Sequence, residues 1–386
     1  MTTDNPTTAE PSPIPPTPPQ PGSDRLLSLD ALRGFDMFWI VGGREVFLAL
    51  LALMVGKQWL VTPDQLAWFT AELHHPEWNG FTFYDLIFPL FIFLTGVSMP
   101  FALAKRVARG DSTFQLYWKV TRRAVLLVLL GLICQGLLKF DFANLRCASV
   151  LGRIGLAYFF AALISFHTST RGRVAWIVVI LLGYWAAMML IPVPGFGAGN
   201  LQPGQTLADW IDRRFLPGKL YKIVRDPEGI LSTIPAIATC LLGVLAGQWL
   251  RESRRSGLVR AAALLIAGAV CLLLGGLWSQ SFPLNKNLWT SSFVLWAGGW
   301  SLLLLGLFYL VIDVWGWKKW AFFFAVIGVN AITIYVGHDF IDFPAVGQLI
   351  FSRAPIYKAL LLPSATVATE WLFLYVLYRS RIFLRL

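Results

Sequence analysis

Two of the four histidines in this chain sit side by side in the polar turn His74-His75-Pro76-Glu77-Trp78-Asn79-Gly80-Phe81-Thr82-Phe83-Tyr84-Asp85. A histidine titrates near neutrality, so it can take a proton from an amine or hydroxyl nucleophile and return it later. Asp85, ten residues beyond His75, falls at about the first turn of the apolar run Leu86–Leu94, where it is placed to orient or charge-tune the imidazole. His75 is therefore the acid–base candidate, with Asp85 as its partner, while His74 points elsewhere on most backbones. A histidine that merely caps a helix at a membrane interface has the same spacing, so spacing leaves both readings open.

Other polar islands interrupt the apolar sequence. Asp30 and Arg33, three residues apart in Ser28-Leu29-Asp30-Ala31-Leu32-Arg33-Gly34, share a helix face and can pair. Asp36, Arg44 and Glu45 lie deeper, where ionisable residues are costly and face a cavity or a partner. Arg153 is embedded in an otherwise apolar stretch, and its guanidinium needs a carboxylate or a phosphate. Asp85 or Asp36 would serve structurally, a ligand functionally. Asp226-Pro227-Glu228-Gly229-Ile230-Leu231 is an acidic turn opening a helix, which the helix dipole alone would favour. Asn285-Lys286-Asn287-Leu288-Trp289 offers donors, acceptors and an aromatic face, as carbohydrate sites do, although an interfacial Trp is also ordinary belt chemistry. Asn330 and Tyr335-Val336-Gly337-His338-Asp339 complete the set. No P-loop, GxSxG, HExxH or paired-cysteine motif occurs in a suitable context, so neither metal nor ATP chemistry is indicated. Cys134, Cys147, Cys240 and Cys271 read as packed thiols.

The elements that must hold these groups are membrane helices. Of 386 residues 56% are hydrophobic and only 14% charged, against roughly a quarter charged in a soluble domain. Apolar runs of nearly twenty residues recur from Ala31 to the C-terminus, the pattern of an all-α polytopic bundle. Ten spans are expected, at about 31–55, 81–104, 121–138, 148–166, 174–192, 229–249, 258–278, 291–313, 319–337 and 356–377. Residues 1–24 contain eight prolines and no Lys or Arg, which reads as a disordered cytoplasmic tail rather than a signal peptide. Residues 25–386 form the membrane domain.

The net charge of +11 resides in short connections. Lys105, Arg106, Arg109, Arg122, Arg123, Arg171, Arg173, Arg251 to Arg255, Lys318, Lys319 and the terminal Arg379, Arg381 and Arg385 all fall on one side. The positive-inside rule makes that side cytoplasmic, with both termini inside, and explains the charge by topology and anionic lipid rather than nucleic acid. The loop 193–228 on the other side still carries five basic residues. The polar clusters around His75, Asp226, Asn285 and His338 share that external side.

At these islands the sequence resembles the heparan-α-glucosaminide N-acetyltransferase family of transmembrane acyltransferases. The matching stretches are Ser28–Gly34, His75–Phe93, Val150–Ile154, Asp226–Leu231, Asn285–Trp289 and Gly328-Val329-Asn330 through His338, in the family's order. The resemblance implies transfer of an acetyl group from cytoplasmic acetyl-CoA to the amine of a glucosamine-type sugar or glycan on the external side, in the inner membrane of a bacterium. It also implies a homodimer. The family's active-site histidine precedes the Trp-Asn-Gly triplet by three positions, which is His75. Within this reading Arg153, Arg122, Arg123 and Arg33 are the contacts expected for CoA. Trp78, Asn79, Asp226, Glu228, Asn285, Lys286, Asn287, Asn330 and His338 are those expected for the acceptor. The chain departs from the family in four places. Only the Pro-rich tail stands where the lysosomal relative has a luminal domain, Arg44 replaces an Asn, the segment from Arg44 to His75 is longer, and Gly152 replaces a Gln. The rival reading is a transporter or flippase of a sugar or lipid-linked substrate, with the polar islands as its path. A third keeps acyl transfer and changes the donor or acceptor.

Overall fold

The computed structural model describes residues 26–346 and 358–384. The Pro-rich tail and Arg385 lie outside the described residues. Among the described residues the chain is helical throughout, and eight helices are long and apolar enough to cross a membrane. The first crossing is compound: α1 (Leu27–Phe38) continues through a π turn at Trp39–Gly43 into α2 (Arg44–Gly56), with Gly42 at φ +118. A short α3 (Pro63–Glu72) follows, then α4 (Phe83–Val107), α5 (Thr113–Cys134), α6 (Val150–His167) and α7 (Thr170–Leu190). Beyond the connecting helix α8 (Leu207–Phe215) come α9 (Ile230–Glu252), α10 (Gly257–Trp278) and α11 (Ser291–Phe308), the last prolonged by a π turn to Val314. The chain ends with α12 (Ala321–Val329), α13 (Ala331–Gly337) and α14 (Lys358–Arg379).

Eight rather than ten helices meet the membrane criterion for two physical reasons. The stretch expected at 121–138 is helical as α5, but Lys119, Arg122 and Arg123 make its first half too polar. The stretch expected at 319–337 breaks into α12 and α13 at Asn330, whose backbone (φ −121, ψ 28) leaves the helical region. Both sit where a span was expected. The connections therefore alternate sides, with the short basic ones on one face and the loops 57–82, 135–149, 191–229 and 279–290 on the other.

Without a hydrophobic gradient between helices in lipid, small residues let backbones approach. Two glycine contacts fix the frame of the site. A Cβ on Gly34 would lie 1.7 Å from the Phe324 carbonyl, and one on Gly328 would lie 1.9 Å from that of Asp30, so α1 and α12 touch backbone to backbone. The same holds for α4 and α9, where Gly96 faces the Cys240 carbonyl and Gly243 faces that of Phe93, each at 2.0 Å from a hypothetical Cβ. The main core fills the space between, with Phe93, Leu94, Leu127, Ala161, Leu241 and Phe293 buried in it.

Candidate active site

Asp85 is the third residue of α4 and is wholly buried. Its carboxylate works in two directions: Oδ2 accepts from the Thr82 backbone N–H at 3.3 Å, closing the start of the helix, and Oδ1 lies 2.6 Å from His75 Nδ1. A carboxylate can only accept, so Nδ1 carries the proton and the Nε2 lone pair is left as the base. Asp85 is 1% exposed and His75 48%, so an anchored carboxylate orients an accessible imidazole. The Thr82 hydroxyl ties the turn down by donating to the His74 carbonyl, while the His74 ring itself sits 2.6 Å from the Thr70 carbonyl.

The turn is joined to the loop 279–290 by two bonds. Gly80 N–H donates to the Leu284 carbonyl at 2.9 Å, and the buried Asn285 amide donates to Asn79 Oδ1 at 3.0 Å. Gly80 has φ +126, which few other residues adopt. Asn285 also accepts from Leu288 N–H, and Trp289, buried with φ +54, donates from its indole to Thr239. This construction brings Lys286 onto the dyad, with Nζ 3.2 Å from His75 Nε2 and 3.5 Å from Asp85 Oδ1. Burial pulls the Lys286 ammonium below its ordinary pKa, and the Asp85 carboxylate opposes that shift.

Below this group a cavity of about 250 Å³ opens into the bundle. His75, Tyr84, Glu228, Lys286 and Tyr335 supply its polar lining, and α1, α4 and α6 supply an apolar floor that includes Met37, Phe88 and Ile154. The Tyr84 ring lies against His75, with centroids 5.0 Å apart, and the Arg44 guanidinium sits 5.1 Å from the Tyr84 ring on its way to Glu45.

The acidic turn before α9 is held by a residue that sequence reasoning missed. Arg146 forms a bidentate pair with Asp226, at 2.8 and 2.6 Å, and also bonds Glu228. Asp212 on α8, likewise missed, accepts from Ile230 N–H at 2.8 Å, and burial raises its carboxyl to about 7. Neither residue belongs to a local motif, and their partners lie up to 82 positions away, so periodicity carries no trace of them. Arg153 is buried and bonds the Pro227 carbonyl and Ser232 hydroxyl at 2.5 Å, beneath the Trp289 ring at 4.9 Å. Its hydrogen bonds go to neither of the carboxylates expected as structural partners, Asp85 and Asp36.

The remaining expected site residues are dispersed. Trp78 donates to the Leu201 carbonyl and lies under Arg225. Asn287 is half-buried in the same loop as Lys286. Asn330 is buried at the α12–α13 break with both amide atoms unpartnered. His338 is not among the residues that line the cavity and lies 3.0 Å from Glu370 of α14. Towards the basic face, Arg33 bonds Ser98 at 2.7 Å and pairs with Asp30 at 3.3 Å, as their spacing implied. Arg123 sits over the Tyr158 ring with a buried Nε lacking a partner, and Arg122 is exposed.

Residues 25–203 match a family described as a domain of unknown function, DUF5009. The chain is 30% identical over 429 residues to heparan-alpha-glucosaminide N-acetyltransferase of Homo sapiens, and 29% over 422 residues to that of Mus musculus. Each match covers 94% of this chain, which spans 61% and 60% of the respective relatives. The similarity runs through all the helices that build the site, so this polytopic membrane protein is similar to the heparan-alpha-glucosaminide N-acetyltransferases over about three fifths of their length.

Proposed function

We propose that the protein is a transmembrane acetyltransferase that moves the acetyl group of cytoplasmic acetyl-CoA to the amine of a glucosamine-type sugar on the external side of a bacterial inner membrane. One observation carries the reading: a histidine oriented by a buried carboxylate stands at the mouth of a cavity that runs into the bundle. The apolar floor suits the acetyl and pantetheine portion of the donor. Arg123, with its partnerless buried Nε, and Arg33 suit the anionic end near the basic face.

In this reading His75 Nε2 takes the proton of the attacking amine as nitrogen bonds to the thioester carbonyl carbon. The carbon–sulfur bond then breaks, and the imidazolium returns that proton to the departing thiolate. Asp85 stabilises the imidazolium while it exists, and Lys286 provides positive charge where the carbonyl oxygen becomes an oxyanion. Nucleophilic attack by His75, through an acetyl-imidazole, uses the same atoms. Glu228, which lines the cavity with His75 and Lys286, is the residue assigned here to the sugar, with Asn79 and Asn287 in the adjoining loops.

Release of free CoA from acetyl-CoA by purified protein, with and without glucosamine or a glucosaminide, tests the reading. Acceptor-dependent release that disappears in His75→Ala supports it. Release without acetylated sugar points to another acceptor, and failure to bind acetyl-CoA hands the case to a transporter.

A further inference from the structure

A second cavity, of about 480 Å³, lies at the basic end of the bundle, between the C-terminal turns of α4 and α9 and the α6–α7 connection. Met99, Leu103 and Val244 form an apolar wall; Gln248, Arg173, Arg251 and Glu252 form a polar rim. It shares no lining residue with the His75 cavity. The backbone contacts at Gly96 and Gly243, and that of Gly247 against the Val97 carbonyl, close α4 against α9 on the side towards His75. An occupant of this pocket therefore has no path to His75 along the α4–α9 seam.

The rim has unmet hydrogen bonds of both kinds. Arg173 is clamped by donating from Nη2 to the Ser165 and Thr168 carbonyls, at 2.8 and 2.9 Å, yet its Nε is buried without a partner. The buried Oε1 of Gln248 also lacks one. The first calls for an anionic acceptor and the second for a donor such as a hydroxyl. Three of the helices reaching the pocket bring further cations: Lys105 and Arg106 in the last turn of α4 with Arg109 beyond it, Arg171 before Arg173, and Arg254 and Arg255 after Arg251. The carboxylates are engaged: Glu252 on the rim pairs with Arg251, leaving Arg173 as the rim cation without a carboxylate pair, and Asp111 outside it pairs with Lys119 and Arg106.

An apolar wall beneath a cationic rim, at the face where anionic headgroups lie, matches an amphiphile. We propose that this pocket is a binding site for an anionic phospholipid of the cytoplasmic leaflet. The phosphate sits on Arg173 and Arg251, a headgroup hydroxyl donates to Gln248, and an acyl chain runs along Met99, Leu103 and Val244.

The test is native mass spectrometry of the full chain after exchange from nanodiscs of phosphatidylglycerol, phosphatidylcholine or an equal mixture. The expected result is one phosphatidylglycerol retained in preference to phosphatidylcholine. Arg251→Ala, at an exposed position, is expected to reduce retention about fivefold, the effect of one interfacial cation. Leu103→Trp, which fills the wall, is expected to abolish it while the thermal midpoint holds. Equal retention of the two lipids, or wild-type retention in both variants, overturns the site. Displacement of the lipid by inorganic phosphate or by CoA also overturns it, assigning the rim to a soluble anion instead.

Discussion

Lys286 and His75 are 211 positions apart in the chain, yet the lysine ammonium lies 3.2 Å from Nε2 of the imidazole. Two glycine- and asparagine-mediated bonds between their loops set this distance, and Asp85 completes the triangle at 3.5 Å from the lysine and 2.6 Å from the imidazole. The imidazole is thus held between one cation and one anion, each from a different part of the chain.

The first prediction concerns the dyad. Asp85→Asn keeps the size of the side chain and removes the negative charge that orients the imidazole. Its kcat is expected to fall by about 10²–10⁴-fold, with His75→Ala at least as low, because the two act as a unit. Steady-state CoA release measures this, and unchanged far-UV circular dichroism confirms that the bundle persists. Wild-type turnover in Asp85→Asn would remove the carboxylate from the reaction.

Lys286 offers a separable effect. If its charge supports the oxyanion, Lys286→Met lowers kcat by roughly 10²-fold, the scale of losing one such donor, while acetyl-CoA KM stays within a few-fold. A rise in KM with constant kcat would instead make Lys286 a binding residue only.

Arg146 is expected to matter for stability. Arg146→Met leaves Asp226 and the neighbouring Glu228 without their cation in a mostly buried setting, at a cost of about 3 kcal/mol. The thermal midpoint in detergent should drop clearly, and adding Asp226→Asn and Glu228→Gln should recover part of the loss. No recovery would show that Arg146 acts by packing alone.

Asp212 predicts a pH dependence. Burial raises its folded-state pKa from the ordinary 3.8 to about 7, with Asp226 and Asp209 adding to the shift. The folded protein therefore binds a proton that the unfolded chain has lost across that window. The stabilisation is complete below about pH 4 and is lost as pH rises through about 7, by up to roughly 1.4 kcal/mol per pH unit. Asp212→Asn keeps an oxygen for Ile230 N–H and cannot titrate. Thermal midpoints of the two proteins should diverge in slope between pH 4 and 7 and run parallel above it.

Much of the frame was legible in the sequence because lipid leaves few options. A backbone in hydrocarbon must satisfy its own hydrogen bonds, so each apolar run near twenty residues becomes a helix. The expected spans match eight long apolar helices, and the other two stretches are helical as well. The Asp30–Arg33 pair followed from helical spacing alone. The His75–Asp85 pair was accessible because both residues lie within ten positions across one helix start.

What the sequence determined by itself was therefore local: helix positions, the alternation of sides, and the dyad at one helix mouth. Tertiary structure decided which distant groups meet it. Lys286 reached His75 through an inter-loop contact, Asp226 and Glu228 took Arg146 as partner, and His338 took Glu370. Local readings follow from chain geometry, which fixes neighbours within a few turns. Long-range pairings arise from helix packing, where a few glycines set how closely two backbones approach and so which polar groups come within reach.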